Sequence, residues 1–320
     1  MKVKEAPTRW PAQWPIKRLL LALGLAATAY ALALLLWGDA SSVSLSVLWS
    51  SAGLQAFGLC LLSYVLRGLR WRLWMAHYDR HFAWVEGLRL YVSGFAFTPT
   101  PGNVGEAMRG LMLAKKPLPL AQSLAIFGAE RLADLLCLLL LCVPAVLWMA
   151  NHSALDAAAG SPQPWVVGLV AFAGLVFVVV AMVVFRNRQQ LLQRLGWLRQ
   201  AWLCLSTQPL IWLGLSLAAW AAQGLAVWLI CRALDVHMMP LTAIGFYAVA
   251  MVAGALSALP AGLGGMELVL TALLVAQSAS MPQALAITVL ARLLTLWLAV
   301  AIGVAALLYS ALICKDIRFS

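Results

Sequence analysis

The chain has 320 residues, of which 64% are hydrophobic and only 10% charged, with a mean hydropathy of +0.92. Soluble domains carry about 25% charged residues, so this composition argues against a water-soluble enzyme, a nucleic-acid-binding domain and a disordered chain alike. The net charge of +11 does not point to nucleic acid either. Its basic residues sit in short connections between apolar stretches, where they orient helices against the cytoplasmic leaflet.

In chain order, a basic tail (1–15) precedes an apolar run, Ile16–Trp37, which is longer than a secretory h-region and lacks a small-residue cleavage site. It reads as an uncleaved first span. Val43–Leu66 follows, then an Arg/Trp-rich stretch from Arg67 to Trp84 that suits a helix lying in the membrane interface. Further apolar segments cover Leu118–Met149, Trp165–Phe185, Leu210–Ile230 and Pro282–Tyr309, each long enough to cross the hydrocarbon core. Two more, Trp84–Met112 and Pro240–Ser278, are interrupted. The first carries Pro99, Pro101, Gly102, Asn103 and Gly105, and the second carries Pro260, Gly262, Gly264 and Gly265. Proline removes a backbone donor and glycine has poor helix propensity, so both are expected to be broken-helix hairpins that enter the membrane and return. The expected fold is an all-α polytopic membrane protein of six transmembrane helices plus two re-entrant hairpins. It forms one domain over 16–312, with a short tail at 313–320.

Nineteen of the 22 Lys and Arg residues fall on one side if the spans alternate and the broken stretches re-enter. The positive-inside rule then places both termini in the cytoplasm. Six cysteines (Cys60, Cys137, Cys142, Cys204, Cys231 and Cys314) show no CxxC or Cys/His ligand spacing and read as small hydrophobes. His77 and His81 lack a third ligand, so no metal site is expected. There is no nucleotide loop to encode ATP drive, no resident cofactor is expected, and no Ser/His/Asp set stands out as catalytic.

An internal repeat is visible. Glu106 and Arg131 are 25 positions apart, as are Glu267 and Arg292, and one shift of 161 relates the two pairs. At that shift Gln122-Ser-Leu-Ala-Ile126 lies over Gln283-Ala-Leu-Ala-Ile287. The halves, about 16–150 and 164–312, are expected to be inverted, because one hairpin enters from each side. Inverted repeats with interrupted helices are a transporter signature, and the interruptions point to the binding site.

Arg131 and Arg292 lie deep in apolar spans, where a charge costs roughly 2.5–3.5 kcal/mol even on insertion scales. Each therefore requires a partner or a wet cavity. Glu130 and Asp134 are the local candidates for Arg131, and Glu267 is the candidate for Arg292. Arg109, three residues after Glu106, adds a bidentate donor beside a broken helix whose N–H groups suit an anion.

The Thr98–Arg109 segment, the later Glu-Arg-Leu-Ala-Asp134 and the second-half Pro-Ala-Gly-Leu-Gly-Gly-Met-Glu267 resemble the transmembrane domain of lysylphosphatidylglycerol synthases and stand-alone flippase-like inner-membrane proteins. The resemblance covers about residues 15–312. It implies a domain that moves a lipid between leaflets, with Glu106, Arg109, Glu130, Arg131, Asp134, Glu267 and Arg292 lining a central cavity. Full-length synthases also carry a soluble aminoacyl-transfer domain. This chain continues only six residues past Cys314, so that activity is not expected of it.

The leading expectation is thus a non-enzymatic translocator of an anionic or phosphate-bearing lipid in the inner membrane, with proton coupling through one of the carboxyls. Its partners are the lipid and the bilayer, and an oligomer is compatible with the sequence. The alternatives are a membrane-embedded enzyme using Glu106, Glu130 or Asp134 as acid or base, or an accessory subunit of lipid or envelope biosynthesis. One difficulty is visible already: three arginines oppose four carboxyls. An anion fits only if some acids are protonated or point away from the cavity. On topology, a reporter fused after Lys116 is expected to read cytoplasmic and one within 154–163 periplasmic. A periplasmic reading after Lys116 turns the first hairpin into a full crossing and removes the inversion.

Overall fold

The computed structural model describes residues 45–100, 103, 106–113, 117–158, 196–257 and 259–314. Within them every regular element is helical. Four helical runs are long and apolar enough to cross a membrane: Ser51–His77, Leu120–Asn151, Pro209–Ala233 and Met281–Leu312. These match four of the six expected spans; the other two, Ile16–Trp37 and Trp165–Phe185, lie outside the described residues, as do Pro101, Gly102 and Gly105.

Helix α1 (Ser51–His77) starts at Ser50, whose hydroxyl accepts from the Gly53 N–H at 3.2 Å and caps the first turn. It runs unbroken past Arg67 to His77, so the expected interfacial helix after Leu66 is not formed. Arg70, Trp71 and Trp74 are buried instead. The reason is periodicity: Cys60, Tyr64, Arg67, Trp71 and Trp74 recur at three- and four-residue intervals and share one face. An arginine–tryptophan stretch reads as interfacial from composition, but here that face meets other helices.

Helix α2 (Trp84–Ser93) continues into a 3-10 turn, Gly94–Phe97, and the chain then breaks before the single turn α3 (Met108–Leu111). Helices α4 (Leu120–Leu141) and α5 (Val143–Ala158) meet at Cys142, one residue before the start of α5 and two before Pro144. Helix α6 (Gly196–Ser206) packs on α4. Helix α7 (Pro209–Ala233) packs along α1, meeting it through Ser216, Trp220 and Gln223, while Gly224 lets Ile244 of the helix at Pro240–Leu256 approach closely on another side.

Helices α8 (Pro240–Leu256) and α9 (Gly265–Ala276) pack against each other around the break at Pro260–Gly262. Their 17 and 12 residues span about 25 and 18 Å, each less than the ~30 Å hydrocarbon core. Ala261 and Gly262 both adopt positive φ, 53° and 66°. A side chain on Gly262 would also sit 3.0 Å from the Gly254 backbone, so the turn and the packing together require glycine there. Helix α10 (Met281–Arg292) passes through a π-helical turn, Leu293–Trp297, into α11 (Leu298–Leu312).

The 161-residue shift reappears in these bounds: α4 begins at Leu120 and α10 at Met281. The segments before them differ, since α3 is one turn and α9 is three. Both halves share one apolar core that includes Tyr64, Trp71, Trp74, Tyr91, Phe95, Phe246 and Tyr247.

Helix α11 lies against the 3-10 turn so closely that a Cβ on Gly303 would stand 2.5 Å from the Ala96 nitrogen. Gly303→Ala is therefore expected to cost about 1–3 kcal/mol through forced backbone shifts and to lower the unfolding midpoint in detergent. Gly58→Ala in α1, where nothing lies within 4 Å, is expected to leave the midpoint unchanged or raise it slightly.

Candidate functional site

Charges converge where α1, α3, α4 and α7 meet. Arg70 of α1 reaches Asp134 of α4 at 2.6 Å, with both side chains buried. The same Nη1 donates to Ser216 Oγ of α7 at 2.7 Å, and Trp220 Nε1 donates to Asp134 at 3.1 Å. One carboxylate thus joins three helices. Arg109 sits above this pair. Its Nη2 donates to Glu130 at 2.6 Å, its Nε to the Glu106 carbonyl at 3.1 Å, and its guanidinium lies 4.7 Å from the Tyr91 ring centroid. Ser123 Oγ donates to the Ala107 carbonyl and ties the short α3 segment to α4.

Glu106 and Arg131 pair at 3.0 Å, and Thr98 donates to the other Glu106 oxygen at 2.9 Å, closing the loop between Phe97 and α3. Arg109 approaches the same carboxylate at 3.6 Å and Asp134 lies 4.0 Å from Arg131. In the second half Arg292 Nε donates to Glu267 at 2.6 Å and Arg292 Nη2 to the Ala261 carbonyl at 3.1 Å. The remaining Glu267 oxygen accepts from Gly264 N–H at 2.7 Å and caps α9. The two pairs 25 residues apart are therefore both ion pairs in space, each fastening a long helix to the segment that follows a break.

A cavity of about 100 Å³ lies between the two breaks, room for a few waters or one small polar group. Three arginines line it: Arg67 of α1, Arg131 of α4 and Arg292 of α10. Among the described residues on its walls the one carboxylate is Glu106, and Asn103, Thr98, Gln223, Thr295 and the hydroxyl-bearing Tyr64, Tyr91 and Tyr247 supply neutral polar groups. The π-helical turn shapes this wall. Its Leu294 and Thr295 carbonyls both accept from the Tyr64 hydroxyl, at 3.1 and 3.3 Å, and such turns are frequent at functional sites.

Of the seven expected lining residues, Glu106, Arg131 and Arg292 are on the cavity wall. Arg109, Glu130, Asp134 and Glu267 are not among the residues that line it: Arg109 and Glu130 pair with each other, Asp134 with Arg70, and Glu267 with Arg292. The excess of acid over base read from the sequence disappears for two reasons. Glu130 and Asp134 point away from the cavity into pairs with Arg109 and Arg70, and Arg67 and Arg70 were missing from the count. Five arginines face four carboxylates, a net single positive charge.

The anion seat expected at the first break, beside Arg109, falls partly outside the described residues; at the second break the Gly264 N–H is already taken by Glu267. Positive potential at the cavity comes from guanidinium groups. Arg67, Arg70, Gln223 and the π-turn were not singled out from sequence. The signal that could have found the arginines is their spacing on one face with Tyr64, Trp71 and Trp74; the π-turn has no Pro or Gly to announce it.

These elements define a multi-pass, all-helical membrane protein with buried ion pairs around a basic internal cavity. The family model described as lysylphosphatidylglycerol synthase TM region matches residues 19–303, and the chain belongs to that family. Its members are membrane proteins tied to lipid biosynthesis or to lipid flipping between leaflets. Neither a curated protein nor a solved structure matches the chain.

The Arg109–Glu130 pair makes a stability prediction. Arg109→Gln leaves Glu130 buried without its cation, which costs about 3–5 kcal/mol for a pair of this kind. The unfolding midpoint should fall accordingly, and adding Glu130→Gln should recover part of the loss. A midpoint unchanged by Arg109→Gln alone would mean that the pair does not hold α3 to α4.

Proposed function

We propose that the chain is a lipid translocator that passes an anionic or phosphate-bearing lipid between the leaflets of the inner membrane. The observation that carries this reading is the placement of the cavity. It lies between the two interrupted segments, at the pairs Glu106–Arg131 and Glu267–Arg292, with three arginines and one carboxylate on its walls. Binding sites of transporters built from repeats lie at such interruptions. A guanidinium presents planar paired donors that suit phosphate oxygens, and among the described residues donors remain: Nη2 of Arg131 is engaged, as are Nε and Nη2 of Arg292.

In the proposed cycle the head group enters the cavity while the acyl chains stay in the bilayer. The phosphate competes with Glu106 for Arg131. The two halves, which we take as inverted repeats with both termini cytoplasmic, then expose the site to the opposite leaflet. Glu106, the carboxyl on the wall, is the group placed to exchange a proton as Arg131 leaves it. No resident cofactor takes part in this reading. The arrangement of the other acids favours translocation over catalysis by a membrane-embedded enzyme. Glu130 and Asp134 are each locked by an arginine at 2.6 Å, a poor position for a general acid or base, which must reach a substrate proton.

The test is lipid flipping in proteoliposomes. Arg131→Gln, and Arg292→Gln made together with Glu267→Gln so that no buried carboxylate is left unpaired, are each expected to reduce transport of an anionic lipid at least tenfold while the protein accumulates and elutes as wild type. Full transport by either variant would remove that charge from the mechanism. Failure of both to accumulate would assign the pairs a structural role alone. An imposed pH gradient should change the rate for the wild type; indifference to it would leave passive movement without proton coupling.

A further inference from the structure

Arg67 differs from the other charged groups of the cluster. Arg70, Arg109, Arg131 and Arg292 each have a carboxylate within 4.0 Å, whereas among the described residues no carboxylate lies within that range of Arg67. Its Nη2 donates to the amide oxygen of Gln223 at 3.0 Å, and its guanidinium stacks 3.9 Å from the Trp220 ring centroid. Gln223 is fixed in turn, because the Tyr247 hydroxyl donates to the same oxygen at 3.0 Å. The Nε atoms of Arg67 and Arg131 are buried with no acceptor among the described residues, although both side chains line the cavity. An aromatic face and a neutral amide hold a guanidinium in place without neutralising it.

We infer that Arg67 is the specificity-determining residue of the cavity, held out of any direct ion pair by Trp220, Gln223 and Tyr247 to receive the single negative charge of a phosphate group. The charge count sets the valence. Five arginines against four carboxylates leave one positive charge, which one phosphodiester monoanion balances. A zwitterionic head group carries the same phosphate but brings a cation into a site already in excess of positive charge. This inference rests on the translocator reading for its physiological meaning, but not for its measurement, since binding can be read without movement.

The experiment measures binding and flipping side by side with the full chain. Binding is read as the rise in unfolding midpoint in detergent on adding dioleoyl phosphatidylglycerol, dioleoyl phosphatidylcholine or inorganic phosphate; flipping is read in proteoliposomes with head-group-labelled forms of the two lipids. Wild type should bind and move the phosphatidylglycerol at least tenfold better than the phosphatidylcholine, which is the factor that about 1.4 kcal/mol gives. Arg67→Gln should bring that ratio below threefold, and Arg67→Lys, which keeps the charge but loses the planar stacking, should fall between. Stabilisation by phosphatidylglycerol without an effect of inorganic phosphate assigns the seat to a lipid head group. An effect of both, lost in Arg67→Gln, assigns it to phosphate of either source. Selective, Arg67-dependent binding with no flipping by wild type would support the charge reading while sinking the translocator.

Equal binding of the two lipids by wild type, with no response to inorganic phosphate, overturns the inference, and this outcome needs no variant to fold. Unchanged selectivity in Arg67→Gln overturns it equally, even if flipping persists.

Discussion

Five arginines and four carboxylates have been brought into the helical interior of a chain that is 64% hydrophobic, and matching them governs how its helices pack. A lone charge in such a setting is expensive, and removing one partner of a buried pair is more damaging than never having the pair. Asp134 shows the consequence. It can be buried only where Arg70 from α1 and the Trp220 indole from α7 both reach it, so α1, α4 and α7 are fixed relative to one another by one carboxylate. Glu130 does the same for the α3 segment through Arg109.

The cavity is what remains after those pairs are made. Where cation and anion satisfy each other, as at Arg109–Glu130, the groups are lost to any ligand. Arg131 is half satisfied by Glu106 and stays 37% exposed at its side chain, which is what allows it to face both the protein and the cavity. Arg292 serves Glu267 and the Ala261 carbonyl and still reaches the wall. Arg67 is stacked and hydrogen-bonded but has no carboxylate within 4.0 Å among the described residues.

The breaks themselves play two parts. They shorten α8 and α9 below the length of a crossing, and they release backbone groups that the ion pairs then recruit. Ala261 gives its carbonyl to Arg292, and Glu267 caps Gly264. Thr98 closes the first break on Glu106. Each interruption is thereby tied to a long helix 25 residues further on, by pairs of 3.0 and 2.6 Å. A rearrangement of either break must disturb the charge lining the cavity, which is the coupling an alternating-access device requires.

Hydropathy and proline–glycine placement were enough, from sequence, to read the all-helical membrane class, four of the spans within the described residues and both interruptions, while the family rested on the resemblance of three motifs, Thr98–Arg109, Glu130–Asp134 and Pro260–Glu267. Chain length against bilayer thickness and the loss of backbone donors are local properties, legible one segment at a time. Glu267 was the partner expected for Arg292 and is the one it meets, whereas Arg131, for which Glu130 and Asp134 were the local candidates, pairs with Glu106 at 3.0 Å and has Asp134 only at 4.0 Å. Only the tertiary structure decided which charges face the cavity. Glu130 and Asp134 are separated by one helical turn and look equivalent to Arg131 in sequence, yet they turn to Arg109 and Arg70, which come from other segments. Arg67 and Arg70 look interfacial beside their tryptophans, and they become interior because α7 presents a serine hydroxyl, an indole and an amide to their face. The sign of the charge at the cavity depends on those long-range pairings, and no periodicity within one helix encodes them.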